Sequence, residues 1–247
     1  MLDVHSHILP GLDDGAADSV QALQIISQAE KQGVQVIFAT PHCCDGVYDC
    51  TKQTVLSACR YLGDAAEKQH LNMRILPGAE IRVNHDLVER FDAGDLLTLG
   101  DWGRFLLLEL PPMFIVNAVF RMMQQLKERG IIPIIAHAER NPMIAGRLEL
   151  AEELIFLGAK LQVTAGSLTG DFGKPVCKIA RKLLEKDQVF CLGSDMHPGR
   201  KYRMKAAQKK LFKWVGSEKT HTLVTENPAQ ILTDTDSSMD VKTYSSA

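Results

Sequence analysis

The sequence lacks a long apolar run, and no stretch reaches the roughly 18 apolar residues needed to span a bilayer. It also lacks a segment of the signal-peptide type, because Met1 is followed at once by Leu2-Asp3-Val4-His5, which carries ionisable side chains. We therefore expect a soluble protein, without membrane insertion, that stays in the cytoplasm.

The chain has little excess charge of either sign. Its 28 Lys and Arg residues nearly balance its 30 Asp and Glu residues, and the formal net charge is −2. Such a balance gives no electrostatic reason to expect a nucleic-acid partner. The sequence does not indicate an oligomeric state.

Cysteines are few and irregularly placed. None forms a C-x-x-C pair, and their spacing does not match a disulfide framework. We therefore expect buried or incidental free thiols, as in a reducing compartment. The cysteines are Cys43, Cys44, Cys50, Cys59, Cys177 and Cys191.

Short apolar runs alternate with longer amphipathic stretches, which is typical of β-α units with a mainly parallel sheet. At 247 residues with 45% hydrophobic side chains, one catalytic domain over residues 1–232 is expected. Residues 233–247 are polar and predict a disordered tail. The predicted strands are Leu2-Val4, Val34-Ala39, Met73-Leu76, Phe105-Leu110, Ile131-Ala136, Leu161-Val163 and Val189-Leu192.

Helices are predicted between these strands. Asp18 and Gln21 resemble a capping box at the start of the first helix, and Gly33 is expected to end it. The other predicted helices are Thr51-Gln69, Val116-Arg129, Leu148-Phe156, Lys174-Glu185 and Arg203-Val215.

Histidines and carboxylates follow nearly every predicted strand. The C-terminal strand ends of a β/α barrel meet at one mouth, so these side chains are expected to converge there. A single histidine at a strand end is commonly a hydrogen-bonded structural residue, but the set as a whole is difficult to explain by packing. Its members are His5, His7, His42, Glu80, Glu109, His137, Asp195 and His197, with Asp14 nearby in the loop after the first strand.

Nine such residues are too many ligands for one ion, so two or three divalent ions are expected. Nitrogen and oxygen ligands without thiolates suit Mn²⁺, Zn²⁺ or Fe²⁺. Three ions against four carboxylates would leave about two positive charges, which attract a phosphate dianion. Arg140 and Arg200 each follow a strand-end histidine by three residues and could bind that phosphate. The pattern predicts metal-dependent hydrolysis of a phosphoester.

The chain resembles the polymerase and histidinol phosphatase (PHP) superfamily, and within it the CpsB/CapC branch. The resemblance extends from residue 3 to Glu226-Asn227-Pro228. It rests on Asp3 to Gly15 (DVHSHILPGLDDG), Thr40-Pro41-His42, Gly78-Ala79-Glu80, His137-Ala138-Glu139-Arg140 and Ser194-Asp195-Met196-His197.

This resemblance implies a distorted seven-stranded TIM-like barrel, (β/α)7, with a trinuclear site. Manganese is the implied metal, with Zn²⁺, Fe²⁺ or Co²⁺ as alternatives, and the nine residues above are the implied ligands. Arg140 is implied in phosphate binding, as is a second arginine for which Arg200 is favoured over Arg203. The implied reaction is hydrolysis of phosphotyrosine by a metal-bound hydroxide. The implied substrate protein is a bacterial tyrosine autokinase that controls capsule or exopolysaccharide synthesis.

Three features bear on the substrate. No cysteine has an arginine six positions later, as a cysteine-dependent tyrosine phosphatase requires. Cys43-Cys44 depart from the bulkier or basic residues expected after His42, whereas Tyr48 could pack on a substrate ring. Finally, a basic helix face could bind an acidic kinase tail, although a solvated helix surface is the simpler explanation. Its central lysines are Lys209, Lys210 and Lys213.

Other functions remain open at this stage. Within the superfamily these are a small-molecule phosphatase, such as histidinol phosphatase, and a phosphodiesterase or nuclease. A third alternative is a non-catalytic subunit whose metals serve only structure, which the complete ligand set argues against.

Overall fold

The computed structural model describes residues 1–43, 46–48 and 50–232. The predicted polar tail, residues 233–247, and Cys44 lie outside this part of the chain. Among the described helices, none combines the length and apolar character needed to cross a membrane.

The strands form two parallel sheets. The first has the order β1-β2-β4, and the second has the order β3-β5-β6-β7-β8-β9. All neighbouring strands within them are parallel, as the alternation of strands and helices predicted. The strands are β1 (Leu2–Ser6), β2 (Val36–Ala39), β3 (His42–Cys43), β4 (Arg74–Pro77), β5 (Glu80–Arg82), β6 (Phe105–Glu109), β7 (Ile132–Ile135), β8 (Lys160–Thr164) and β9 (Cys191–Gly193).

Helices connect most of the strands. The six predicted helices correspond to α1, α2, α4, α6, α8 and α9. The helices are α1 (Ser19–Lys31), α2 (Lys52–Lys68), α3 (Leu87–Asp92), α4 (Val116–Glu128), α5 (Pro142–Gly146), α6 (Glu149–Phe156), α7 (Ala165–Thr169), α8 (Gly173–Glu185), α9 (Met204–His221) and α10 (Asn227–Ala229). Short 3₁₀ turns at Leu99–Asp101 and Ala138–Arg140 and a π-helical turn at Thr222–Glu226 complete the secondary structure.

The predicted count of seven strands is not confirmed, since the described residues form nine strands. The two additional strands, β3 and β5, follow β2 and β4 after two-residue gaps. Pro41 in the first gap has no N–H to donate to a ladder. In the second gap, a Cβ atom on Gly78 would lie 2.8 Å from Leu99 Cδ2, so a larger residue there would have to displace the buried Leu99 side chain. The two interruptions divide the chain between the two sheets.

Hydrogen bonds also join the last strand to the first. The Asp195 N–H donates to His5 O over 2.8 Å, and the His7 N–H donates to Met196 O over 3.1 Å. The buried Asp3 carboxylate accepts from the Ser194 N–H over 2.8 Å. The end of β1 is therefore fixed beside the segment that follows β9.

The N-terminus of α1 confirms half of the predicted capping box. Asp18 Oδ1 accepts from the Gln21 N–H over 2.9 Å, which satisfies a free donor of the first turn. The Gln21 side chain instead accepts from the Ala17 N–H over 3.0 Å, one residue before the position expected. After α1, Gly33 adopts a φ of +85°, which permits the turn into β2.

The core has two layers on opposite faces of the strands. On β6, Leu106 and Leu108 belong to the larger cluster that packs against helices, whereas Leu107 belongs to the inner cluster with Val4 and Ile134. Burial on both faces is typical of parallel strands covered by helices. This packing makes the strands a rigid support for the side chains at their C-terminal ends.

Candidate metal centre

The first candidate ligands are two histidines at the end of β1. His5 and His7 are both fully buried, and as alternate residues of an extended chain they face the same way. Their Nε2 atoms lie 3.1 Å apart. Two ring nitrogens at this distance, both pointing into the same space, are the arrangement expected when two imidazoles bind one cation.

Glu80, the first residue of β5, lies at the centre of the imidazoles. Its Oε2 atom is 3.2 Å from His5 Nε2, 3.3 Å from His7 Nε2 and 3.2 Å from His42 Nδ1. Oε2 is nevertheless buried without a hydrogen bond of good geometry. Ligands about 2.0–2.2 Å from one ion lie about 3.0–3.4 Å from each other, so the spacing around Oε2 fits a cation better than a hydrogen bond.

Seven of the nine predicted ligands fall into three overlapping groups. In each group the candidate ligand atoms all lie within 4.8 Å of one another. Shared members join the groups, so the geometry suits a cluster of ions better than separate sites. The groups are His7, Asp14, His42 and His197; His5, His7 and Glu80; and His42, Glu80 and Glu109.

The other two predicted ligands, His137 and Asp195, lie beside these groups. His137 Nε2 is 2.8 Å from Glu80 Oε1, and Asp195 Oδ1 is 3.4 Å from His7 Nε2. Both residues have a positive φ, +34° for His137 and +49° for Asp195. Such a conformation in a non-glycine residue costs about 1–3 kcal/mol and is concentrated at functional sites. The fold thus brings all nine predicted residues to one place.

Two arginines approach the centre from one side. Arg140 Nη2 lies 2.9 Å and Arg200 Nη1 lies 3.0 Å from Asp195 Oδ2. Arg203, the alternative to Arg200, instead forms a two-point contact with Asp171 at 2.7 and 3.0 Å. The geometry therefore favours Arg200 over Arg203 as the neighbour of Arg140.

Two residues that orient the histidines were missed in the sequence. Asp13 Oδ2 is 2.6 Å from His7 Nδ1 and also accepts from the His42 N–H over 2.9 Å. Gln162 Oε1 is 3.1 Å from His5 Nδ1 and accepts from the His137 N–H over 2.8 Å. Such partners fix the orientation of metal-binding imidazoles. A signal existed for Gln162, since it is the polar residue inside a predicted buried strand.

The centre is strongly polarised. Burial disfavours charge on His7, but neighbouring carboxylates, Asp13 first among them, outweigh burial and raise its pKa well above the usual value. Burial alone would raise the pKa of Glu80, yet the surrounding imidazoles, led by His5, hold it well below its usual range. Burial and the charge of His7 lower the pKa of His197 to about 4. The buried Glu80 carboxylate thus remains ionised and needs positive charge beside it.

The cysteine prediction was wrong for one pair. Cys43 and Cys50 form a disulfide whose Cα atoms are 5.3 Å apart, whereas Cys59, Cys177 and Cys191 are free. The spacing gave no warning, because strand β3 and the chain entering α2 bring the two residues together only in the fold. The disulfide removes the support that cysteine usage gave to a reducing compartment.

The residues enclosed by this disulfide include Tyr48. Its ring lies parallel to the His42 imidazole, with ring centroids 5.9 Å apart and an angle of 11° between the planes. Tyr48 therefore lies at the edge of the metal centre. Its packing against a substrate ring remains a prediction.

The chain is similar in sequence to known tyrosine-protein phosphatases. The chain is 35% identical to the tyrosine-protein phosphatase YwqE of Bacillus subtilis over 234 residues, which are 94% of this chain and 91% of that protein. It is 28% identical to the tyrosine-protein phosphatase CpsB of Streptococcus pneumoniae, covering 95% of this chain and 99% of that protein.

Solved structures give the same result. A crystal structure from work on YwqE of B. subtilis and CpsB of S. pneumoniae, described as metal-dependent tyrosine phosphatases, superposes with a TM-score of 0.88 at 33% identity and covers 94% of both chains. Histidinol phosphate phosphatase of Lactococcus lactis has a TM-score of 0.54 at 11% identity, covering 86% of this chain and 92% of that one, and so shares the fold alone.

The model of the family described as capsular polysaccharide synthesis, CpsB/CapC, matches residues 1–233. With nearly the whole chain matched, this protein belongs to the CpsB/CapC family.

Proposed function

We propose that this protein is a metal-dependent protein-tyrosine phosphatase that hydrolyses phosphotyrosine on a partner protein. The observation that carries the proposal is the approach of three imidazole nitrogens to one buried Glu80 oxygen, next to two arginines. The similarity to tyrosine-protein phosphatases over most of the chain supports the choice of substrate.

The donor set suits two or three divalent ions. We propose as ligands His5, His7, Asp14, His42, Glu80, Glu109, His137, Asp195 and His197. Manganese is the proposed metal because nitrogen and oxygen ligands without a thiolate suit it, although Zn²⁺, Fe²⁺ and Co²⁺ would fit the same atoms. When bound at such a site, divalent ions supply an activated water and stabilise charge on a phosphoryl group.

The protein's own residues would bind and orient the phosphoryl group. Arg140 and Arg200 carry permanent charge, and guanidinium groups match the geometry of phosphate oxygens. Both arginines contact the Asp195 carboxylate, so they lie at the edge of the proposed ligand set. Tyr48 is the proposed contact for the tyrosine ring.

A cysteine nucleophile does not fit the described residues. Burial raises the pKa of Cys59 to about 12, and burial likewise raises that of Cys191. Cys177 is hydrogen-bonded to Leu168 O at the start of α8, and Cys43 and Cys50 are paired. The thiols of Cys59 and Cys191 are therefore held protonated, and the paired sulfur atoms of Cys43 and Cys50 carry no thiol.

We propose a tyrosine kinase of the capsule or exopolysaccharide system as the phosphorylated partner, with the reaction in the cytoplasm, where ATP-dependent kinases act. The Cys43–Cys50 disulfide is the observation against this compartment, since cytosolic disulfides are rare. The redox state of these two cysteines in protein taken rapidly from cells tests it.

The proposal includes one domain over residues 1–232 arranged as a distorted seven-stranded barrel. Counting β2 with β3, and β4 with β5, as single interrupted strands gives seven. The hydrogen bonds between β1 and the segment after β9 support closure of such a barrel.

A substrate panel tests the function. The Mn²⁺-loaded protein is offered a phosphotyrosine peptide, histidinol phosphate, a bis-aryl phosphodiester and single-stranded DNA. We expect phosphate release from the peptide, inhibition by chelators, no inhibition by thiol alkylation, and no activity after His137→Ala or Asp195→Ala. Cleavage of another substrate without cleavage of the peptide would instead establish a small-molecule phosphatase or a phosphodiesterase.

A further inference from the structure

Phe172 lies against both arginines of the site. The Cζ atom of Arg140 is 4.7 Å from the centroid of the Phe172 ring, and the Cζ atom of Arg200 is 5.5 Å from it. Both distances are within the range of cation–π attraction. Phe172 is not part of the ligand set and belongs to none of the motifs that suggested the function.

The position of this ring is fixed from both sides. A Cβ atom on Gly166 would lie 3.0 Å from Phe172 Cε2, so the ring packs directly on the backbone of α7. The preceding residue, Asp171, binds Arg203 at the start of α9 through two contacts of 2.7 and 3.0 Å. The ring is therefore packed against α7, in a turn that the Asp171–Arg203 pair joins to the start of α9.

Two guanidinium groups so close together repel each other, and two features oppose that repulsion. One is Asp195 Oδ2, which lies within 3.0 Å of both arginines. Asp195 is also a proposed metal ligand, and an oxygen directed to an ion is less available to the arginines. The other is the aromatic face of Phe172, which attracts cations. Because the ring carries no net charge, it does not compete with a phosphate for the arginines.

We propose that Phe172 is a positioning residue that holds Arg140 and Arg200 side by side for one phosphoryl group. The inference rests on the proposed function only in taking phosphate as the group bound there. Part of the ring borders a cleft of about 410 Å³ that Arg200, Met196 and Lys201 also line. The ring therefore borders open space on one side and contacts the arginines on the other.

The test compares Phe172→Leu with Phe172→Tyr in the full-length, Mn²⁺-loaded protein. The probe is inorganic phosphate, whose dissociation constant is measured by calorimetry. Leucine keeps the apolar contact but removes the aromatic face, so we expect affinity to fall about tenfold, whereas tyrosine should stay within about twofold. Bound manganese and the melting temperature should change little in either variant.

A second comparison separates positioning from general packing. When Arg140 and Arg200 are both replaced by alanine, Phe172→Leu should have no further effect on phosphate affinity. An equal loss in that background, an equal loss in Phe172→Tyr, or wild-type affinity in Phe172→Leu would overturn the proposal. If Phe172→Leu does not fold, Asp171→Ala replaces it, since freeing the turn should weaken phosphate binding in the same direction.

The outcome is separable from that of the proposed function, because phosphate binding is measured without turnover. If the wild type hydrolyses the phosphotyrosine peptide while Phe172→Leu binds phosphate normally, only the positioning role is refuted. If the wild type fails on the peptide while Phe172→Leu binds phosphate weakly, the positioning role stands and the substrate assignment is refuted.

Discussion

Asp13 Oδ2 lies 2.6 Å from His7 Nδ1, on the side of the imidazole opposite to Glu80. A carboxylate in this position selects the tautomer that leaves Nε2 free to bind a metal, and it increases the basicity of the ring. Asp13 therefore serves the site although it is not itself a proposed ligand.

Replacing Asp13 by alanine should lower manganese affinity about 10- to 100-fold, because His7 loses the group that orients it. Metal titration by calorimetry, with activity measured at saturating Mn²⁺, checks this. Asp64→Ala on the exposed face of α2 is the matched control and should behave as the wild type. Unchanged manganese affinity in Asp13→Ala would show that the contact with His7 is not needed.

Manganese binding should release protons at neutral pH. The pKa of His7 is raised well above its usual value and that of His5 is also raised, so the metal-free protein holds protons on both imidazoles that metal ions must displace. His197, with a pKa of about 4, is already neutral and contributes none. The apparent affinity should therefore rise with pH until the raised pKa values of His5 and His7 are passed, and then level off.

Calorimetry in buffers of different ionisation enthalpy counts the protons released. His197→Ala should lose affinity but keep the proton count, whereas His7→Ala should lose affinity and release fewer protons. An affinity independent of pH, with no protons released, would contradict the charge assignment.

The Cys43–Cys50 disulfide should add stability. With a sequence separation of 7, the chain-entropy relation gives about 2.5 kcal/mol for closing so short a loop. For a protein of this size that corresponds to about 5–10 °C in melting temperature. Cys43→Ser should lose this stability in the absence of reductant, and a dithiol reductant should lower the melting temperature of the wild type but not that of Cys43→Ser.

Cys177→Ser removes a free thiol and is the control for this experiment. It should melt as the wild type does and keep the response to reductant. Equal melting temperatures of wild type and Cys43→Ser under oxidising and reducing conditions would mean that the pair does not stabilise the protein.

The basic face of α9 should matter for protein substrates alone. Reversing Lys209, Lys210 and Lys213 to glutamate should raise KM for a phosphorylated kinase but not for a small aryl phosphate, because only the protein reaches beyond the mouth of the site. The matched control reverses three exposed lysines in the last turns of other helices, Lys31, Lys68 and Lys127. Equal effects of the triple reversal on both substrates would remove the docking role.

Much of the centre could be predicted because one rule of the fold applies to it. Parallel strands present their C-terminal ends on one side, so polar residues at strand ends, such as His5 and Glu80, converge whatever their separation in sequence. Asp13 and Asp14 are adjacent and of the same type, and only the conformation of their loop assigns one to His7 and the other to His197.

Other features depend on contacts between distant segments that no local pattern encodes. Phe172 contacts Arg140 and Arg200 from a turn between two helices, and the sequence of this turn has no feature that predicts such a contact. Cys43, on β3, meets Cys50, just before α2, although their spacing in the sequence does not mark them as a pair. Pro41 and Gly78, which interrupt the strands, can be seen in the sequence. The sequence alone does not show that these interruptions divide the strands between two sheets.

That register also links folding to assembly of the centre. β3 and β5 are paired so that His42 lies opposite Glu80 and Cys43 lies opposite Ile81. Side chains alternate between the two faces of a strand, so a slip of one residue would exchange an imidazole for a thiol or a carboxylate for an isoleucine. The same backbone ladder thus sets the strand alignment and the spacing of two donor atoms, and a misaligned chain would be unable to recruit the ions that stabilise the correct one.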